Sequence, residues 1–164
     1  MKTITLILLT GILGVFLSVQ AFGQLGAKTS HDVRIEKLLD DIELKYQIDD
    51  DGDFKLMNQF DSGRSHVIFI NSSTEKYNNL EIREIWSVAY VSGGALSPAI
   101  MRDLLTDTKK LGSWKISKIN GNEVAVFCAQ IAADCDRATL LSALQIVSQA
   151  ADEMEAKLTQ EDDL

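Results

Sequence analysis

Residues 114–132, WKISKINGNEVAVFCAQIA, decide the fold of this chain. Two stretches rich in strand-forming residues, 114–119 and 123–132, flank the sequence NGN at 120–122, which is typical of the tight turn of a β-hairpin. A helix is predicted to begin near Asp136, because apolar residues then recur three and four positions apart. This seam consists of Leu140, Leu144, Val147, Ala151, Met154 and Leu158. A hairpin followed by an amphipathic helix indicates an antiparallel sheet that is covered by helices.

The first part of the chain also shows helical spacing of apolar residues, followed by the alternation that is typical of strands. Ser30 is a suitable cap for a first helix, whose apolar face would be formed by Ile35, Leu38, Leu39 and Ile42. Alternating residues on both sides of the acidic turn at 49–52 predict a β-hairpin, and a second turn at 61–63 leads into an apolar strand over residues 67–70. Residues 71–79 are polar and are predicted to form a loop.

A long strand and a second helix are predicted before the hairpin at 120–122. Over residues 80–90, apolar side chains that include Trp86 and Tyr90 share one face of the strand. The helix begins at Ser97-Pro98, where a capping hydroxyl precedes a residue whose missing N–H is not needed in the first turn. Its buried stripe would comprise Ile100, Met101, Leu104 and Leu105. Gly112 is suited to the left-handed end of this helix.

These elements predict the α+β class, as a two-layer sandwich with helices on one face of an antiparallel sheet. The predicted order is α-β-β-β(-β)-α-β-β-α, in one domain over residues 31–158. Residues 159–164 form an acidic tail, which we expect to be frayed.

The first 23 residues are predicted to be a secretory signal peptide, and residues 24–30 a short leader. Lys2 supplies the positive start, residues 4–19 are almost wholly apolar, and small residues end the run at 21–23. Cleavage is expected after Gly23, or alternatively after Ala21. An uncleaved membrane helix is the alternative, although the run is near the minimum length for a span and no positive residue stops it on its far side. We therefore expect a periplasmic or secreted protein without a stable membrane anchor.

The charge of the chain excludes some classes of partner. The formal net charge is −8, and it becomes −9 without Lys2. Nucleic-acid binding depends on Lys and Arg that neutralise phosphates, and attraction to anionic lipid depends on the same residues. We therefore expect neither a nucleic acid nor an anionic lipid surface as a partner.

The sequence shows no constellation of residues that indicates catalysis. Neither a Gly-x-Ser-x-Gly elbow nor a complete phosphate-binding loop occurs, so we expect no enzyme, no catalytic residues and no cofactor. The acidic turn at 49–53 does not fit a calcium loop, because Gln47 and Asn58 would stand where the first and last acidic ligands are required. It is interpreted as a solvated hairpin turn.

Histidines and cysteines are too few for a recognisable metal motif. His31 and His66 each stand without a nearby ligand in sequence, so no metal site is predicted. Cys128 and Cys135 are interpreted as two buried thiols, because an extended segment of seven residues would hold them roughly 20 Å apart. A sharp turn at 132–133 would instead allow a disulfide.

Three segments resemble the YbjN-like family, which is described as candidate bacterial sensory transduction regulators. They are the acidic hairpin at 46–54, the Ser97-Pro98 helix start and the final helix over 143–158, and the resemblance extends over residues 31–158. The chain also resembles, more distantly, the type III secretion chaperone-like fold. That resemblance implies dimers that hold extended segments of client proteins in the cytosol, whereas this chain carries an export signal. The family implies no catalytic residues.

Two functions follow as expectations. The first is an exported, non-enzymatic protein-binding or regulatory module, and the alternative is a carrier or sensor of a small ligand held between sheet and helices. Candidate partner-binding residues are Trp86, Tyr90, Leu141 and Ile146. Leu141 and Ile146 flank the apolar seam of the last helix, and a homodimer is our hypothesis, with a monomer as the alternative.

Overall fold

The computed structural model describes residues 30–160, 162 and 164. The predicted signal peptide and nearly all of the predicted leader therefore lie outside the described residues. Over the described part of the chain, the elements are α1 (Val33–Asp41), β1 (Gln47–Ile48), β2 (Phe54–Gln59), β3 (Ser65–Ile70), β4 (Glu75–Tyr77), β5 (Leu80–Val91), α2 (Pro98–Thr106), β6 (Ser113–Ile119), β7 (Asn122–Ala132) and α3 (Arg137–Leu158). None of these helices is both long and apolar enough to cross a membrane.

The strands form one antiparallel sheet in the order β1-β2-β3-β5-β7-β6, and β4 pairs with β5 beside that path. The β6–β7 hairpin closes as predicted, because Asn120 and Gly121 both adopt positive φ, of 50° and 84°. A two-residue turn with positive φ at both positions matches the twist of the strands that it joins. The predicted α+β two-layer fold is confirmed.

All three helices pack on one face of the sheet. Ile35 and Leu39 of α1 join Phe54, Ile85 and Phe127 in the main core, together with the first part of the predicted α3 seam, Leu140, Leu144 and Val147. Leu104 of α2 contributes to a second, smaller cluster with Ala151 and Met154 of α3. The longest helix, α3, therefore lies between the other two and takes part in both clusters. Burial of apolar side chains is the main term that holds the two layers together.

A buried arginine fixes α1 to the sheet. Arg83 of β5 points to the helix side with no exposed surface, and it donates to the carboxylate of Asp32 and to the carbonyl oxygens of Asn71 and Ser72. The same carboxylate accepts the backbone N–H of Arg34 at 2.8 Å and so caps α1. Burial alone would raise the pKa of Asp32, but the hydrogen bonds from Arg34 and Arg83 outweigh it and hold that pKa well below its usual range.

The cap of α1 and the segment before β5 differ from the sequence-based predictions. Asp32 caps the helix in place of Ser30, because only its carboxylate reaches both the first turn and Arg83. The predicted loop at 71–79 contains β4, which pairs with the start of β5 around a turn at Asn78. Residues 75–77 are all exposed, so they carry none of the alternation on which strand prediction depends.

A β-bulge separates two residues that were predicted to share a face. Trp86 pairs with Cys128, but the register between β5 and β7 shifts after Val88, so that Tyr90 pairs with Ala125. Ala125 belongs to the second core cluster, against which Tyr90 packs. One extra residue reverses the alternation of side chains, so Tyr90 turns to the helix side while Trp86 stays on the opposite face.

The second helix is shorter than predicted. It ends at Thr106, and Asp107 is extended and accepts the indole N–H of Trp114 at 2.8 Å. Leu105 was predicted to be buried but is 82% exposed, because α2 packs on the second cluster through Ile100, Met101 and Leu104. Gly112 does adopt a positive φ of 90°, but it does so in the loop before β6 rather than at the end of the helix.

Candidate functional site

A groove runs between the outer strand β2 and helix α3. Its volume is about 750 Å³. The apolar lining residues are Leu44, Leu56, Met57, Phe60, Ile68, Leu141 and Leu144, and the polar ones are Asn58, Ser62, Gln145, Gln149, Asp152 and Glu153. Leu56, Ile68 and Leu144 are buried and form its floor, whereas Met57 and Leu141 are 61% and 39% exposed at its rim. Such a groove can accept an apolar segment.

The outer edge of β2 is open along this groove. β1 pairs only with Phe54 and Lys55, and in the described part of the chain no strand pairs with the outer side of β2 beyond them. The N–H of Phe60 bonds to the carbonyl of Arg64, at 2.9 Å across the β2–β3 turn. Because hydrogen-bonding direction alternates along an antiparallel strand, Met57 and Gln59 direct their backbone N–H and C=O groups outward.

Four charged or ionisable side chains meet at the Asp152 end of the groove. Arg64 donates to Asp152 Oδ1 at 2.7 Å and to Glu155 Oε2 at 2.8 Å. The hydrogen bond that Arg64 donates to Asp152 raises the pKa of Arg64, which therefore stays charged. Glu155 is wholly buried, and its Oε2 lies 3.7 Å from Nδ1 of the equally buried His66. These four residues, Arg64, His66, Asp152 and Glu155, are called the buried ionic cluster below.

The imidazole of His66 has a defined orientation. Its Nε2 lies 2.7 Å from the carbonyl oxygen of Val88, which can only accept, so Nε2 carries a proton. Its Nδ1 is buried and has no hydrogen-bond partner in the described part of the chain. His66 has no nearby ligand in sequence, and the fold brings Asp152 and Glu155 of α3 close to it.

The groove also has an ionic rim on α3. Glu153 accepts a hydrogen bond from Lys109 at 2.7 Å, which lowers the pKa of Glu153 and raises that of Lys109. This pair separates the groove from a smaller depression of about 240 Å³, lined by Leu111 and Ile146, on the other flank of the helix. Leu141 and Ile146 thus border two different surfaces of α3.

A second surface lies on the sheet face opposite the helices. Trp86 stacks on Phe69, with ring centroids 4.3 Å apart, and its indole N–H donates to Asn71 Oδ1 at 2.7 Å. One aromatic face and the polar edge of Trp86 therefore have partners within the fold. A basin of about 630 Å³ beside it, between Asn71 and Gln130, has a lining that is polar and apolar in about equal parts.

Comparison with known proteins gives a likeness of fold. No protein-family model matches the chain, and no curated protein matches its sequence. Among solved structures, the chain is similar to YbjN from E. coli, described as a candidate transcription regulator, with a TM-score of 0.45 and 12% sequence identity. The match covers 77% of this chain and 90% of that chain. The resemblance to YbjN that the sequence indicates is thus found again in the structure, and it concerns the fold.

The structure does not bring the four predicted partner-binding residues together. Leu141 lines the groove, Ile146 borders the smaller depression, Trp86 lies on the opposite sheet face and Tyr90 packs against the second core cluster. The groove residues that the sequence missed include Met57 and Phe60, which alternation assigned only to a strand. Their place in the groove depends on how α3 packs beside β2, which no sequence period reports.

The two cysteines are thiols in the structure. Cys128 is 2% exposed, whereas Cys135 is half-buried rather than fully buried as predicted. Burial raises the pKa of both thiols, so neither is an activated nucleophile. In the groove, the hydroxyl of Ser62 has no imidazole or carboxylate hydrogen-bonded to it among the described residues.

Proposed function

We propose that the chain is an exported, non-enzymatic module that binds an extended segment of a partner protein in the groove between β2 and α3. The observation that carries the proposal is the coincidence of an apolar groove with an open strand edge. An extended peptide can add to such an edge by main-chain hydrogen bonds, while alternate side chains enter the groove.

The groove supplies both parts of this recognition. Met57 and Gln59 offer outward backbone groups for pairing, and the buried floor formed by Leu56, Ile68 and Leu144 would accept apolar side chains. The net charge of −8 favours a partner segment that is neutral or basic rather than acidic.

The test is a selection of binding peptides followed by variants of the groove rim. Peptides from a random library that bind the full chain are measured by fluorescence polarisation against Leu141→Lys and Met57→Lys, with Leu105→Lys as the matched control. Leu105 is an equally apolar but 82% exposed residue of α2, outside the groove lining. We expect the rim variants to weaken binding by about tenfold or more, since each loses an apolar contact and places a charge in it.

A second measurement tests the geometry of binding. Strand addition should protect the backbone amides of Met57 and Gln59 from hydrogen exchange, because they gain partners only when a peptide pairs with β2. The proposal fails if no peptide is enriched, or if the selected peptides bind the Leu141, Met57 and Leu105 variants equally well.

A small-ligand carrier is the second candidate, and the size of the groove supports it. A volume of about 750 Å³ lies within the range of ligand sites, and Asn58, Gln145 and Gln149 supply polar groups. Native mass spectrometry of the purified chain distinguishes the two functions. A retained small molecule that Leu141→Lys removes would favour the carrier.

Export and self-association complete the proposal. Export predicts a mature N-terminus at Gln24 or Phe22, and recovery of Met1 from a cytosolic protein by N-terminal sequencing would contradict it.

A homodimer is proposed through the open edges of β2 or β6, because the seam of α3 is used within the fold. Sedimentation that shows only the monomer mass at about 100 μM would exclude this dimer.

A further inference from the structure

The buried ionic cluster contains three potential metal ligands. One nitrogen of His66 and one oxygen each of Asp152 and Glu155 lie within 4.8 Å of one another. His66 Nδ1 and Glu155 Oε2 are 3.7 Å apart. In a tetrahedral zinc site with ligands at about 2.1 Å, donor atoms stand roughly 3.4 Å apart. This pair would therefore have to close by only about 0.3 Å.

The orientation of His66 is an independent indication of a ligand. The residue is 1% exposed, and its Nδ1 is directed at the two carboxylates without a hydrogen-bond partner in the described part of the chain. Its Nε2–H is fixed by the carbonyl of Val88 at 2.7 Å. A metal-binding histidine is usually held in this way, with one N–H donated to a carbonyl and the other nitrogen lone pair free for the ion.

We propose that His66, Asp152 and Glu155 bind a divalent transition metal of the zinc class. One imidazole nitrogen with two carboxylate oxygens suits zinc, cobalt or nickel, whereas calcium and magnesium prefer ligand sets of oxygen alone. Three protein ligands leave a fourth position for water. Because Asp152 also lines the groove, the metal would stand at the end of the groove.

Arg64 forms ion pairs with both carboxylates in the structure, so it competes with the metal for these two ligands. Its guanidinium is 22% exposed at the β2–β3 turn, so it can move towards solvent. The carboxylate of Asp162 already lies 3.8 Å from it and could receive it. A divalent ion brings two charges to a site where the guanidinium supplies one. Removal of Arg64 should therefore tighten metal binding, which a purely structural ion pair does not predict.

The experiment measures binding of Zn²⁺ and Co²⁺ to the full chain by calorimetry and by cobalt absorption spectra. We expect one ion per chain, bound about tenfold more tightly by Arg64→Gln and at least about tenfold more weakly by His66→Gln and Glu155→Gln. His31→Gln is the matched control, since His31 is the other histidine and pairs with Glu36 at 3.0 Å on the surface. That variant should bind like the unchanged chain.

Two results would overturn the metal site. One is the absence of binding at 100 μM metal in both the unchanged chain and Arg64→Gln, and the other is binding that His31→Gln abolishes while His66→Gln does not. If His66→Gln does not fold, ¹⁵N spectra of the imidazoles in the unchanged chain decide the question. Zinc should then shift Nδ1 of His66, and a shift confined to His31 would contradict the proposal. Leu141→Lys should leave metal binding unchanged, which separates this proposal from that of peptide binding.

Discussion

Neutralising Asp32 should show how much the buried Arg83 contributes to the attachment of α1. Arg83 has no exposed surface, and Asp32 is the carboxylate that it contacts, with its own side chain 11% exposed. Asp32→Asn keeps an oxygen that can cap the helix but removes the negative charge. Removing one partner of a buried ion pair costs about 3–5 kcal/mol, because the other charge stays buried without compensation.

The incomplete burial of Asp32 places the expected cost of Asp32→Asn at the lower end, about 3 kcal/mol. Asp32→Ala also removes the cap and should cost about 1 kcal/mol more. Ser97→Ala is the matched control, because Ser97 caps α2 through a bond to the N–H of Ile100 at 3.3 Å without a buried arginine. That variant should cost about 1 kcal/mol.

Urea unfolding at pH 7, followed by circular dichroism, measures these differences. With a slope of about 1.5 kcal/mol per molar urea, Asp32→Asn should lower the midpoint by about 2 M and Ser97→Ala by less than 1 M. A midpoint for Asp32→Asn equal to that of Ser97→Ala would refute the reasoning, since removal of the charge on Asp32 would then cost no more than loss of an ordinary helix cap. The double variant Asp32→Asn with Arg83→Met should recover part of the loss, because no unpaired charge then remains.

Three further predictions concern acid stability, the loop before β6 and the thiols. The pKa of Asp32 is lowered from 3.8, so its contribution is present above pH 4 and is lost as the pH falls. Unfolding free energies measured from pH 6 to pH 2 should therefore fall more steeply in the unchanged chain than in Asp32→Asn, and parallel curves would contradict this. Gly112→Ala should destabilise by about 3 kcal/mol or more in thermal unfolding, because φ is +90° and a Cβ would meet the carbonyl oxygen of Cys128 at 2.6 Å. Gly121→Ala, with φ of +84° and open space, should cost only about 1 kcal/mol, and equal losses would refute the close approach. A thiol reagent should modify Cys135 before the 2% exposed Cys128, as followed by mass spectrometry, and the reverse order would disprove their relative burial.

The elements that the sequence predicts well are those whose determinants are local. The turn at Asn120-Gly121 requires two positive φ values, which these residues tolerate, and Ser97-Pro98 combines a cap with a suitable first residue. In α3, apolar spacing alone identifies the buried seam, because the helix faces the sheet along its whole length. Each of these features can be recognised from residues that lie close together in the sequence.

The features that the sequence does not predict depend on partners distant in the chain. The bulge at Ala89 appears only when β5 is paired with β7, so the reversal of Tyr90 has no sequence signal. The bonds from Arg64 to Asp152 and Glu155 join residues 88 and 91 positions apart. Similarly, Arg83 is a charged residue on a strand, and its complete burial follows from a helix cap about fifty positions earlier.

The two buried ionic networks of this fold differ in what they contribute to the folded structure. In the Asp32–Arg83 pair, Asp32 caps a helix and Arg83 donates to the loop carbonyls at 71–72. The pair therefore supplies hydrogen bonds that these backbone groups require. The cluster around Glu155 caps no helix, and a buried ion pair can often be replaced by apolar residues without loss of stability. Burying its charges nevertheless costs desolvation free energy, which apolar side chains at the same positions would not cost. Because this cluster borders the groove and His66 Nδ1 lies 3.7 Å from Glu155 Oε2, the binding roles proposed above, rather than folding, would account for its composition.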